Sequence, residues 1–293
     1  MTLTSATVEI VPSGWPKASA LARLVGRHPL IYVGGCLLSL LVILAIAAPL
    51  YAGDPLNMDP AKSLQPPSAE MWLGTDNLGR DVFARTAFGA RISLVVGLLA
   101  AGTATICGVL IGVIAGYNRP FDNIIMRVMD GLMSIPTILL AIALISLTSP
   151  GIGILIIAIA IPEMPSVTRL VRSLVLSVRE RPYVEAAICG GARQPRVLWR
   201  HVIPSTVPAL MVQSANLCAT AILTEAGLSF LGVGVPPDIP SWGNMISTSR
   251  LYLAIAPWTV FAPGIGLIVT ILAVNLLGDG LRDLFDPRQK RRR

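Results

Sequence analysis

The chain has 293 residues, of which 54% are hydrophobic and only 13% charged, and its mean hydropathy is +0.71. Soluble domains carry about 25% charged residues, so the composition excludes an ordinary water-soluble fold and implies a chain that crosses a bilayer repeatedly. A net charge of +7 would point to nucleic acid in a soluble protein; here its distribution among loops reports orientation instead, and no nucleic-acid partner is expected.

Residues 1–29 hold Pro12, Gly14 and Pro16 and read as an irregular cytoplasmic tail. The first apolar run, Ile31 to Leu50, is too long for the core of a cleavable signal and lacks a small-residue cleavage site, so residues 30–50 are expected to stay as an uncleaved first span. Residues 51–87, rich in Pro, Asp and Gly, form the largest external segment. A second run extends from Ile92 to Tyr117, and the short connection Asn118 to Asp122 makes its successor an antiparallel neighbour. The apolar stretch from Gly131 to Ile161 exceeds one helix, and Thr148-Ser149-Pro150-Gly151 divides it into a third and a fourth span.

Residues 169–204 are the longest cytoplasmic connection and the most densely charged part of the chain. A fifth span, Val202 to Leu231, carries one charge, Glu225. An external loop, Gly232 to Arg250, precedes the sixth span, Leu251 to Gly278, and residues 283–293 form a basic cytoplasmic tail. These segments are apolar all round, whereas barrel strands would alternate, so the expected fold is an all-α polytopic membrane protein of six helices, with five of them in a core over 88–282.

Most of the 23 basic residues fall on one side of that topology, leaving Lys62, Arg80, Arg85 and Arg250 outside, so both termini are placed in the cytoplasm. Cys36, Cys107, Cys189 and Cys218 show no framework spacing and are read as small packing residues without disulfide or metal roles.

The connection between spans four and five carries a specific pattern. Glu185-Ala186-Ala187-Ile188-Cys189 favours a short helix, Gly190-Gly191 stops it, and Pro195 opens a second. Two short arginine-bearing helices at an angle form a knob suited to a cleft on a soluble partner. Glu-Ala-Ala, three residues, Gly, nine residues and a hydrophobic-Pro ending resembles the cytoplasmic signature of permeases in ATP-binding-cassette importers, matched here at Glu185, Ala186, Ala187, Gly191 and Pro204. His201 stands where that pattern has an aliphatic residue, and Ile203 where it has Leu.

Three further segments narrow the resemblance to the C-type permeases of dipeptide, oligopeptide and nickel importers: Trp72-Leu73-Gly74-Thr75-Asp76-Asn77-Leu78-Gly79-Arg80-Asp81-Val82-Phe83-Ala84-Arg85, Gly227 to Pro237 followed by Ser241-Trp242-Gly243, and Asn275-Leu276-Leu277-Gly278-Asp279-Gly280-Leu281-Arg282-Asp283 before Asp286-Pro287. Taken without the resemblance, the first of these reads as a turn-rich loop with exposed mixed charges. The resemblance implies a type I importer permease fold in the bacterial inner membrane, surrounded by lipid. It also implies a second, B-type permease, two ATP-binding subunits holding ATP-Mg, and a periplasmic substrate-binding protein, with residues 169–204 coupling the ATPase to the membrane helices.

Glu225 and Asp130 are the membrane-depth carboxylates of interest, read as pathway or structural residues. By helical rise Glu225 lies near the external face, where snorkelling or capping competes with lining the path, and Asp130 is three residues from Arg127, a pairing distance. The chain is not expected to be an enzyme or to bind a cofactor. No lysine follows a glycine, so no phosphate-binding Gly-Lys loop exists and ATP belongs to another chain. An ion-coupled secondary transporter is the alternative, and it would require interrupted spans carrying carboxylates, of which the stretches around Pro136 and Pro162-Glu163-Pro165 supply at most one candidate. An intramembrane enzyme would want clustered His, Asp or Glu at depth, yet His28 and His201 both lie in cytoplasmic segments.

Overall fold

The computed structural model describes residues 29–148 and 151–285. Ser149 and Pro150 of the expected break, nearly all of the 1–29 tail and the end of the basic 283–293 tail lie outside them. Within these residues ten α-helices follow in order: α1 (Pro29–Tyr51), α2 (Val82–Tyr117), α3 (Arg119–Met133), α4 (Thr137–Ser146), α5 (Ile152–Arg179), α6 (Pro182–Cys189), α7 (Gln194–Val197), α8 (Ile203–Phe230), α9 (Trp242–Ser249) and α10 (Trp258–Phe285). Among the described residues the only β pairing is an isolated bridge between Thr75 and Asp81.

Among the described residues five helices are long and apolar enough to cross a membrane: α1, α2, α5, α8 with the turn before it, and α10. The third predicted span differs. It consists of α3 and α4, bent by 91° at the break between Met133 and Thr137, where Pro136 withholds the N–H a continuous helix needs. The ten residues of α4 rise about 15 Å, half the thickness of a bilayer core.

Two other helices outrun their apolar runs. Asp81 accepts a 2.8 Å hydrogen bond from Phe83 N and starts α2 at Val82, so Arg85 and Arg91 are helical. Helix α5 continues through Arg169 and Arg172 to Arg179, because arginine is a good helix former and a charge does not by itself make a loop.

The bundle is held by close approach of small residues, the available route where lipid removes the hydrophobic drive between helices. On α2, Gly108, Gly112 and Gly116 recur every fourth residue and face Val167, Val171 and Val175, which recur every fourth residue on α5. A Cβ on any of these glycines would lie 2.5–2.8 Å from its nearest neighbour, so the valine ridge sits directly in the glycine groove. Helix α1 packs on α10 the same way: a Cβ on Gly34 would come within 2.6 Å of Leu277 N, and one on Gly280 within 2.4 Å of Ile31 Cγ1. The four cysteines are free; Cys107 and Cys218 are half-buried as the packing reading expects, whereas Cys36 and Cys189 are exposed.

Candidate functional site

At the arginine-rich end, α5 passes into α6 through a single turn in which Val184 N and Glu185 N both donate to Arg181 O. Pro182 opens α6 with its φ already set. The helix stops because Gly191 adopts φ +84°, allowing Gly191 N to donate to Ile188 O and Ala192 N to Ala187 O, both near 2.9–3.0 Å. That pair of bonds is the Schellman termination, and it satisfies carbonyls the helix end would otherwise leave open. Helix α7 follows, and a π-helical turn over Leu198–Val202 runs without a break into α8.

The inner side of this knob is apolar and fixed. Val184, Val197 and Val202 are buried in one cluster with Val171, Val175 and Val178 of α5. Arg179 donates to Gly116 O at 3.0 Å and Tyr117 O at 3.3 Å, closing the carbonyl end of α2, and its guanidinium lies 4.8 Å over the Tyr117 ring. Tyr117 in turn donates to Gln194 O. The outer side is a different surface: Tyr183, Ile188 and Trp199 are 45%, 50% and 71% exposed, among exposed Arg193, Arg196 and Arg200.

Of the residues singled out from the sequence, Glu185 and Ala186 are exposed on α6, Ala187 is half-buried and Gly191 is exposed at the cap. Pro204 is exposed in the first turn of α8, beyond the π-turn. His201 stands 6.0 Å from the Tyr183 ring, a tilted aromatic contact that an aliphatic residue there would replace by simple packing.

Glu225 is fully buried rather than snorkelling to a surface. Ser93 of α2 donates to its Oε2 at 3.0 Å and Ser229, one turn on, to its Oε1 at 2.8 Å. Ser229 Oγ also accepts from Val235 N, and Asn244 Nδ2 donates to Val235 O at 2.8 Å. One carboxyl group thus ties α2, α8, the segment after α8 and α9 together. Leu228 to Val233 closes α8 with a second Schellman turn, centred on Gly232 at φ +81°. Asp130 does not pair with Arg127; it accepts from Arg169 of α5, and Asp122 is gripped by both Arg172 Nε and Nη2.

At the opposite end, the segment before α2 is not the exposed charge mixture expected from its composition. Asp76, Arg80 and Arg85 are 5%, 5% and 2% exposed. Asp76 accepts from Leu78 N, Arg80 N and Arg80 Nε, with Arg85 Nε 3.7 Å away. Burial is tolerable because the one carboxylate, bonded on both oxygens, faces both guanidiniums and Arg85 Nη1 also donates to Pro55 O at 3.3 Å. Gly79 takes φ +70° where a Cβ would strike Asp59 O at 1.8 Å, and Trp258 at the start of α10 donates to Thr75 O at 3.2 Å. Trp242, also buried, donates to Thr86 O at 3.0 Å. Among the described residues no group of His, Cys, Asp or Glu is arranged to hold a metal ion.

The sequence profile of the family described as binding-protein-dependent transport system inner membrane component matches residues 108–291, from mid-α2 through the knob to beyond α10. The chain belongs to that family. It is a multi-pass inner-membrane component of such a transport system. Over 96% of this chain and 97% of the relative, it is 75% identical to a probable peptide ABC transporter permease, y4tQ, of Sinorhizobium fredii NGR234. It is 42% identical to the dipeptide transport permease DppC of Alkalihalophilus pseudofirmus, over 90% of this chain and 88% of the relative. To the glutathione transport permease GsiD of Pectobacterium atrosepticum it is 38% identical over 92% and 90%. Among solved structures, an inward-facing MetNI methionine ABC transporter chain superposes with a TM-score of 0.56 at 18% identity, covering 68% of this chain and 95% of that one. At that identity the likeness establishes a shared helical fold for this inner-membrane component.

Proposed function

We propose that this chain is one permease subunit of an ATP-driven importer for peptides, working beside a second, B-type permease, two ATPase subunits that hold ATP-Mg, and a periplasmic binding protein. The knob from Glu185 to Pro204 is its cytoplasmic coupling element, which places the arginine-rich ends of the helices in the cytoplasm and the Asp76 and Glu225 regions on the external side. The observation that carries the reading is the two-sidedness of the knob. Its valines are packed against α5 and its Gln194 O accepts from Tyr117 of α2, while Tyr183, Ile188 and Trp199 stay exposed among arginines. A rigidly backed surface with aromatic and aliphatic anchors is what a soluble docking partner requires. Peptide cargo rests on the relatives' activities. None of the relatives named above is an ion-coupled carrier, and no observation favours that alternative.

The test is uptake of a mixed di- and oligopeptide pool into proteoliposomes holding this chain co-purified with its neighbouring permease and ATPases. Uptake that needs both ATP and the binding protein, and is lost with the ATPase subunits in Glu185→Arg, supports the reading. ATP-independent uptake by this chain alone overturns it.

A further inference from the structure

Helix α3 is held to the rest of the bundle in an unusual way. It is separated from α2 by Asn118 alone and from α4 by the 91° bend. Met129 is its one buried side chain, while Phe121, Ile124 and Val128 are all more than half exposed. With so little apolar anchoring, its position is set by side chains that reach from α5. Arg172 grips Asp122 with both Nε and Nη2, and Arg169, one turn back, takes Asp130.

The two pairs are not equal. Arg172 and Asp122 are 32% and 18% exposed, against 46% and 60% for Arg169 and Asp130. An open monodentate pair contributes little, whereas a two-pronged guanidinium–carboxylate pair fixes orientation as well as distance. Asp122–Arg172 is therefore the principal tie. Its arginine lies two turns before the end of the helix that passes into α6 and the knob.

We propose that Asp122 and Arg172 are positioning residues of the transport cycle, a strut that makes α3 travel as one body with α5 when the knob is displaced, as the buried packing of Ala141 and Ile145 with Leu155, Ala158 and Ile159 already does for α4. Without the strut, movement entering at α6 reaches α5, α4 and, through Arg179, the end of α2, but its transfer to α3 is left to the open Arg169–Asp130 pair and to the joints at Asn118 and Ser134 to Pro136. The inference rests on the knob being the coupling element.

The test uses the whole complex in proteoliposomes, with ATP hydrolysis and peptide uptake measured together. Asp122→Asn and Arg172→Gln should keep the ATPase subunits bound and ATP hydrolysis near wild type, yet lower uptake per ATP by about five-fold or more, the low end of what coupling between sites carries. The reversed pair, Asp122→Arg with Arg172→Asp, should recover most of that loss. A second measurement separates a strut from a gate. With the four native cysteines replaced by serine, Asp122→Cys and Arg172→Cys are bridged by a short bifunctional thiol reagent, and uptake per ATP should match the unbridged pair or exceed it. Unchanged uptake per ATP in the single variants, no recovery in a folded reversed pair, or a block on bridging would each overturn the strut. Retention of the ATPase by Glu185→Arg would instead overturn the docking reading, so the two failures are distinguishable.

Discussion

Replacing Gly112 by alanine tests the packing on which the fold depends. The new Cβ would lie 2.7 Å from Thr168 O, 2.8 Å from Val171 Cβ and 3.1 Å from Val171 Cγ1. Two of these atoms, the carbonyl and the Cβ, are fixed to the α5 backbone and cannot rotate away. Restoring ordinary contact requires α2 and α5 to separate by about 0.7 Å, and a gap of that size forfeits a quarter to a half of each dispersion contact along the seam. Overpacking of this kind costs about 1–3 kcal/mol, partly offset by about 1 kcal/mol from the better helix propensity of alanine. Gly102, on the same helix, has nothing within 4 Å of its would-be Cβ, so Gly102→Ala keeps the propensity gain without the clash. Adding Val171→Ala to Gly112→Ala removes only the Cγ1 contact and should rescue only in part. Reversible unfolding in mixed micelles by titration with a denaturing detergent measures all three. Equal stability of Gly112→Ala and Gly102→Ala would refute the account of the seam.

Other outcomes follow from single observations. Gly191→Val should lose uptake and Gly191→Asn retain most of it, because φ is +84° with open space around the position, and a left-handed conformation costs about 1–2 kcal/mol for ordinary residues but less for asparagine. Glu225→Ala should lower unfolding stability by about 2–4 kcal/mol by orphaning the buried hydroxyls of Ser93 and Ser229, while Glu225→Gln keeps most partners and loses less. Trp258→Phe removes the hydrogen bond to Thr75 O and should cost about 1 kcal/mol, read as faster proteolytic cutting in the 53–81 segment with α10 intact.

The apolar runs carried the long helices plainly, and the Glu-Ala-Ala to Pro204 pattern carried the knob, including its stop at Gly191. Charge misled at the edges. Arg85, Arg91, Arg169 and Arg172 read as loop or boundary residues because hydropathy treats charge as exposure, yet all four are helical. The bend at Ser134 to Pro136 was visible only as one proline inside an apolar run, and a proline alone does not separate a kink from a right angle. Asp76, Arg80 and Arg85 could not be recognised as buried, since their cover includes the Trp258 end of α10, far along the chain. The partners of Glu225 were equally hidden: Ser93 is 132 residues away, and one serine in a span carries no signal of its own.

The chemistry that secures the helices changes along their length. At the Asp76 and Glu225 end the ties are buried hydrogen bonds and a buried ion cluster, whose rupture would leave unpaired polar groups and cost several kcal/mol. Along the middle, the α2 glycines and α5 valines interlock without a gap, and packed seams of that kind are bistable rather than elastic. At the arginine-rich end the knob itself is held by buried valines, and it is α3 that is tied by partly exposed ion pairs, the open Arg169–Asp130 and the two-pronged Arg172–Asp122. The weakest ties in the bundle are therefore those of α3, and the strongest lie at the opposite end. A force applied at α6 moves α5 with α2 as a single stiff lever, and whether α3 follows is decided by the grip of Arg172 on Asp122.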